Sequence, residues 1–204
     1  MRNQTRYGNP DMKFFYDKNS TPINGDEISN LIPSHIRTQD ELNMWEQNNI
    51  LQAEQKLFKG KRKIVLSIDF IQKIHKMMFS DTWKWAGKFR QTNMNIGIDW
   101  IRIPTELKML CEDVEFQRQQ QSFPIDEIAV RFSHRLVAIH PFTNGNGRCS
   151  RLIADLLMVK AGQQRFTWGS KNLTDMSETR TKYINALKEA DNYNILPLLE
   201  FAKS

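Results

Sequence analysis

The sequence predicts a mainly α-helical protein with one small β-hairpin, and three observations carry that reading. Apolar residues return at helical spacing in one stretch after another, most of them opened by Ser, Thr or Pro and several closed by Gly or Pro. Only one stretch, residues 90–103, is rich in β-branched residues around a glycine. At 204 residues with 40% apolar and 25% charged residues, the chain has the size and composition of one ordinary globular domain, with or without an appendage.

The elements follow in order. Residues 1–25 are polar and broken by Pro10, Pro22 and Gly25, as expected of an irregular arm. Thr38 to Phe58 reads as a helix. Thr38 and Glu41 form a capping box, Leu42, Trp45, Asn49, Ala53 and Leu57 form one face, and Gly60 is the stop. A second helix, Ser67 to Phe79, has Ser67 as its cap and Phe70, Ile71, Ile74, Met77 and Met78 as its apolar face. Trp83, Trp85 and Phe89 follow in a loop and read as core packing. Residues 90–103 are the hairpin. Pro104 opens a helix carrying Leu107, Leu110, Cys111 and Val114, and Pro124 opens another carrying Ile128, Phe132, Leu136 and Ile139. The latter ends at His140-Pro141, because proline disfavours helical geometry in the residue before it. A further helix runs from about Arg148 to Lys160, with Gly162 after it. The last covers roughly Ser177 to Ala190 and is followed by an apolar tail, Ile195 to Leu199. The chain divides into an arm over 1–37, an N-terminal helix over 38–60 and a core over 61–204.

Several function classes recede at this stage. No apolar run approaches the ~20 residues that cross a bilayer, and the charged start from Met1 to Tyr7 has no apolar segment behind it. Cys111 and Cys149 are isolated and read as reduced thiols of a cytoplasmic protein. His35, His75, His134 and His140 are scattered without zinc spacing. The net charge of +6 would suit an anionic partner. Nucleic-acid binding rests on that charge alone, since the densest basic run, Lys59 to Lys63, reads as a solvated helix end.

The chemistry concentrates in residues 140–151, His-Pro-Phe-Thr-Asn-Gly-Asn-Gly-Arg-Cys-Ser-Arg. A glycine-rich turn feeding a helix presents inward N–H groups as an anion nest, and the helix N-terminus adds free donors and partial positive charge. Arg148 and Arg151 lie three apart on the first helical turn, so two guanidinium groups flank the nest, which suits a polyphosphate. His140 stands just before the nest, where a neutral imidazole would accept a proton from an incoming hydroxyl. Phe142 reads as the packing anchor of the loop.

This segment resembles the signature of the Fic family, His-x-Phe-x-(Asp/Glu)-Gly-Asn-Gly-Arg-x-x-Arg, at His140, Phe142, Gly145, Asn146, Gly147, Arg148 and Arg151. The arm and first helix also resemble a bacterial Fic subfamily called mobile mystery protein B, through Thr21-Pro22, Leu31-Ile32-Pro33, Glu41-Leu42-Asn43 and Glu46 to Ile50. The resemblance implies a Fic-like helical bundle whose hairpin is a flap beside the active-site loop, with Asn95, Ile96 and Gly97 docking a target segment. It implies that His140 is the general base and that Gly145, Asn146 and Gly147 cradle the α- and β-phosphates. Arg148 would support the phosphates and Arg151 would bind the γ-phosphate, while Tyr183 and Asp191 would approach the nucleoside. The implied reaction moves AMP from ATP to a Ser, Thr or Tyr hydroxyl of a protein, the chain itself included.

Three positions qualify that reading. Asn144 stands where most Fic enzymes carry the Asp or Glu that holds Mg²⁺, and Mg²⁺ prefers anionic oxygens. A nucleotide-binding protein with weak or lost catalysis therefore remains an alternative. Doc-type phosphotransferases carry Lys near the position of Gly147, and glycine here leaves room for the β- and γ-phosphates, which ranks a Doc-like reaction lower. Glu46 is the one match to the inhibitory glutamate pattern of many Fic proteins, so a Glu46–Arg151 salt bridge across the γ-phosphate position is expected.

Overall fold

The computed structural model describes residues 28–36, 38–60, 64–170 and 176–204. The expected irregular arm over 1–25, with Thr21-Pro22, and Lys61 to Lys63 of the basic run lie outside the described residues. The fold is mainly helical, as the sequence predicts: α1 (Gln39–Lys59), α2 (Ile68–Phe79), α3 (Ile103–Gln119), α4 (Ile125–Ile139), α5 (Asn146–Lys160), α6 (Met176–Asp191) and α7 (Leu196–Lys203). No described helix is long and apolar enough to cross a membrane.

Helices α4 and α5 form the central pair. They are consecutive, joined by the short loop 140–145, and each contributes a nearly continuous apolar side. Ile128, Phe132 and Leu136 of α4 and Leu152, Ile153 and Leu156 of α5 are buried. Helix α3 packs on α4, α1 on α2, and α6 on α7, with α2 and α1 also touching α5. The caps are those the sequence specifies. Thr38 and Glu41 exchange both bonds of the capping box, and the Ser67 hydroxyl accepts the Phe70 N–H at 3.1 Å. Pro104 sits in the first turn of α3, and Pro124 is the residue before α4.

The structure differs from expectation in three elements. First, α5 begins at Asn146 rather than near Arg148, so Asn146 and Gly147 belong to its first turn. Second, the inward face of α1 carries Leu42, Glu46, Asn49 and Ala53, whereas Trp45 is 36% exposed. Trp45 donates its indole N–H to the Asp81 carbonyl, and Glu46 is the residue that turns inward. Third, residues 90–99 form no strand pairing among the described residues, and a short 3₁₀ turn, Trp100–Arg102, leads into α3. Their backbone partners are not on a facing strand. The Arg90 N–H donates to the Pro141 carbonyl at 3.0 Å and the Ile98 N–H to the Ile139 carbonyl at 3.4 Å, so this loop is laid along the end of α4.

Candidate functional site

The loop 140–145 is held in a left-handed corner at each end. His140 caps α4 with φ 53° and ψ 58°, its N–H donating to the Leu136 carbonyl at 3.2 Å. A non-glycine residue in this region is strained and persists only where its surroundings fix it. Gly145 has φ 78°, and a Cβ added there would lie 2.5 Å from Cζ of Phe79, so glycine is required on both counts. Phe142 is 1% exposed and anchors the loop as expected. Its N–H and carbonyl are both taken by the Asn146 side chain, which accepts at 2.9 Å and donates at 2.8 Å. Asn146 therefore braces the loop with its side chain, and only its backbone faces the nest.

His75 of α2 is the contributor that sequence reasoning missed. It is fully buried and stacks on Phe142 with ring centroids 3.6 Å apart. The Gly87 N–H donates to Nδ1 at 2.9 Å, so Nδ1 is an acceptor and the proton sits on Nε2, which donates to the Asn144 carbonyl at 3.0 Å. Burial is the main force holding this imidazole neutral, with a pKa lowered to about 3. Fixing the Asn144 carbonyl toward α2 turns the N–H of the same trans peptide the other way. That N–H, of Gly145, meets the Asn144 side-chain oxygen at 2.6 Å. The signal in the sequence was a histidine on the apolar stripe of α2, between Ile71, Ile74 and Met78.

Beyond Gly145 the first N–H groups of α5 have no acceptor within their helix. Two guanidinium groups stand over this end. Arg148 lies above the Phe79 ring at 4.8 Å and Arg151 above the Tyr183 ring at 4.8 Å. A Cβ on Gly147 would be 3.8 Å from a terminal nitrogen of Arg151 and 3.9 Å from the Tyr183 hydroxyl. That hydroxyl is buried and has no hydrogen-bond partner among the described residues. Tyr183 is thus brought to the nest, whereas Asp191 accepts a hydrogen bond from Nε2 of His134 at 2.7 Å. Gly97 lies against His140, where an added Cβ would be 2.5 Å from the His140 Cβ, and Asn95 and Ile96 beside it are exposed.

The His140 imidazole has its pKa lowered from 6.5, chiefly by burial and also by the charge of Arg90, against a hydrogen bond to the Val137 carbonyl that raises it. A neutral ring that spends its one N–H on Val137 leaves the other nitrogen bare to accept a proton.

Glu46 is brought to the site, with a different partner from the one expected. Its carboxylate pairs with Arg148 at 2.6 Å, not with Arg151, and accepts the Trp83 indole N–H at 2.6 Å. The physical reason lies in helix α1, whose buried face meets α2 on the Phe79 side, where Arg148 lies. Arg151 lies instead over the Tyr183 ring of α6.

The donors do not compose a resident magnesium site. Asn144 offers a neutral amide oxygen already engaged by the Gly145 N–H, and no cluster of His, Cys, Asp or Glu able to hold a metal ion occurs among the described residues. Cys111 and Cys149 are free and buried.

Comparison with known proteins agrees with this geometry. The Fic/DOC family pattern matches residues 65–158. A protein adenylyltransferase named fic-1 from Caenorhabditis briggsae is 28% identical over 141 residues, which is 67% of this chain and 26% of that protein. A protein adenylyltransferase Fic from Culex quinquefasciatus is 31% identical over 119 residues, 57% of this chain and 22% of that protein. The chain thus spans about a quarter of the length of these relatives. Among solved structures, the N-terminal Fic domain of a putative cell filamentation protein from Bartonella quintana superposes with a TM-score of 0.69 at 19% identity, covering 93% of this chain and 89% of that one. The BepC protein of Bartonella tribocorum with bound AMPPNP gives 0.66 at 18% identity, covering 82% and 87%. Motif, fold and site geometry converge on one statement: the chain carries a Fic/DOC family domain over residues 65–158.

Proposed function

We propose that this chain is a Fic-type protein adenylyltransferase that moves AMP from ATP to a hydroxyl side chain of a protein, its own chain included. The observation that carries the proposal is the convergence, on one loop, of a neutral imidazole, a helix N-terminus and two arginines. In this reading the bare nitrogen of His140 takes the proton of a Ser, Thr or Tyr hydroxyl. The hydroxyl oxygen bonds to the α-phosphorus while the bond from that phosphorus to the bridging oxygen of the β-phosphate breaks, and pyrophosphate leaves. The N–H groups of Gly145, Asn146 and Gly147 cradle the α- and β-phosphates, Arg148 supports them, and Arg151 binds the γ-phosphate. Positioning and charge neutralisation supply most of the rate. The orphan hydroxyl of Tyr183 is the nucleoside-side contact, and Asp191 is set aside because His134 engages it. Residues 95–97 dock the target. Mg²⁺ enters only as a companion of the triphosphate, and no step here depends on it.

Glu46 is the restraint in this reading, with Arg148 as its target. While the pair stands, the guanidinium is turned to a carboxylate and away from phosphate. Segment 38–60 is then the regulatory helix of a core over 61–204, in a cytoplasmic bacterial protein of the mobile mystery protein B type. The buried free thiols are in keeping with a reducing compartment.

One observation favours a second reading, nucleotide binding without transfer: the Asn144 oxygen occupies the Gly145 N–H, where a phosphate oxygen would sit. The two are separated with ATP labelled at the α- or at the γ-phosphate. Protein labelling from the α-position alone, lost in His140→Ala, supports AMP transfer. Labelling from the γ-position is the result expected of a Doc-like phosphotransferase. Tight nucleotide binding with no labelling in wild type or Glu46→Gly favours the second reading.

A further inference from the structure

Arg90 is a buried cation, 4% exposed, just after the aromatic loop that follows α2. A guanidinium stripped of water needs its donors satisfied nearby. Here every side-chain hydrogen bond goes to a backbone carbonyl. Nε donates to His140 at 2.7 Å, one terminal nitrogen to Thr92 at 2.8 Å, and the other to Ile98 and, at 3.5 Å, to Ile139. Asp99 is the acidic side chain whose field it feels. The carbonyls of Ile139 and His140 lie at the negative end of α4, where a cation is favoured.

These carbonyls belong to two pieces of chain with different tasks. Thr92 and Ile98 flank the exposed loop that carries Asn95, Ile96 and Gly97. Ile139 and His140 are the strained corner that carries the imidazole. Gly97 lies so near His140 that no side chain fits between them. One planar fork therefore sets the spacing between the docking loop and the base. A lysine, with three donors at a single point, could not span those directions.

We propose that Arg90 is a positioning residue that couples the target-docking loop to His140, so that a segment laid along residues 95–97 meets the imidazole in fixed register. The proposal rests on the adenylyltransferase reading above. It separates the two halves of the site: Arg90 governs the acceptor side, whereas the nest, Arg148 and Arg151 govern the nucleotide side.

The test compares wild type with Arg90→Gln and Arg90→Lys. ADP affinity is read by calorimetry and AMP transfer to the chain itself from α-labelled ATP. Amide exchange is followed at Arg90 and Ile98, and the His140 imidazole resonances by NMR at one pH. A base displaced by an ångström costs on the order of a hundredfold in rate, so transfer is expected to fall at least about tenfold in both variants. ADP affinity is expected to stay within about threefold, because the nest does not touch Arg90. The Ile98 amide should exchange faster and the His140 resonances should move. Two results overturn the proposal: His140 resonances and transfer unchanged in Arg90→Gln, or ADP affinity lost in step with transfer, which marks a general structural staple. If Arg90→Gln does not fold, Arg90→Lys, which retains a buried cation, carries the same readings. If neither wild type nor Glu46→Gly transfers any AMP, the adenylyltransferase reading fails, and the Ile98 exchange and His140 resonances still decide whether Arg90 joins the two segments.

Discussion

Gly145 and Gly147 sit two residues apart in the same motif and are held to glycine by different forces. At Gly145 the positive φ alone costs any other residue about 1–2 kcal/mol, and the added methyl meets the Phe79 ring at 2.5 Å. At Gly147 the nearest atoms to an added methyl are at 3.8–3.9 Å, ordinary contact. Gly145→Ala is therefore expected to lower the melting temperature and abolish ADP binding together. Gly147→Ala is expected to fold as wild type and lose ADP affinity about tenfold, because the methyl stands between Arg151, Tyr183 and the phosphate path. Thermal melting and calorimetry on the two variants check this, and equal melting losses would refute it. The motif residues themselves were legible because their types are rare in that order. His75 and Arg90 were not, because each acts on a loop 50 or more residues away, and local sequence carries no mark of such a partner.

At the level of elements, periodicity located the helices well, and capping chemistry fixed the starts of α1 and α2. It failed where tertiary contacts replace local ones. Residues 90–99 have strand-like composition, yet their hydrogen bonds are taken by Arg90 and the end of α4, so no second strand is needed. Helix α1 shows the same effect. Its inward face includes a glutamate because Arg148 and the Trp83 indole both meet it there. Those two partners make separable predictions. Glu46→Gln keeps an acceptor for Trp83 and removes the charge that holds Arg148, so ADP affinity should rise several-fold with little change in melting temperature. Glu46→Gly frees Arg148 equally but strands the buried indole N–H, at a cost of about 1–3 kcal/mol. ADP affinity unchanged in both variants would remove Glu46 from the regulation of this site.

Across the whole molecule, the site carries a sensitivity to acid that runs through one buried ring. His75 joins α2, the Gly87 turn and the nest, and it does so only as a neutral ring. Its pKa is about 3 in the folded chain against 6.5 for an ordinary histidine, lowered chiefly by burial and also by the nearby charge of Arg148. Between those values the unfolded chain binds a proton that the folded chain refuses. The stability this neutral ring protects is therefore complete above pH 6.5 and is lost progressively as pH falls toward 3. The slope approaches ~1.4 kcal/mol per pH unit for this one group. His140 is lowered in the same direction, chiefly by burial, and adds to it as pH falls below 6.5. Melting temperature followed from pH 7.5 down to pH 4 should decline for wild type. It should decline less steeply for His75→Phe, which removes the titrating ring but leaves the Asn144 carbonyl without its donor. That variant should therefore be less stable than wild type at pH 7.5, weaker for ADP at every pH, and nearer to wild type in stability at pH 4. Parallel melting curves for the two proteins across this range would show that the ring is not the group through which acid reaches the fold.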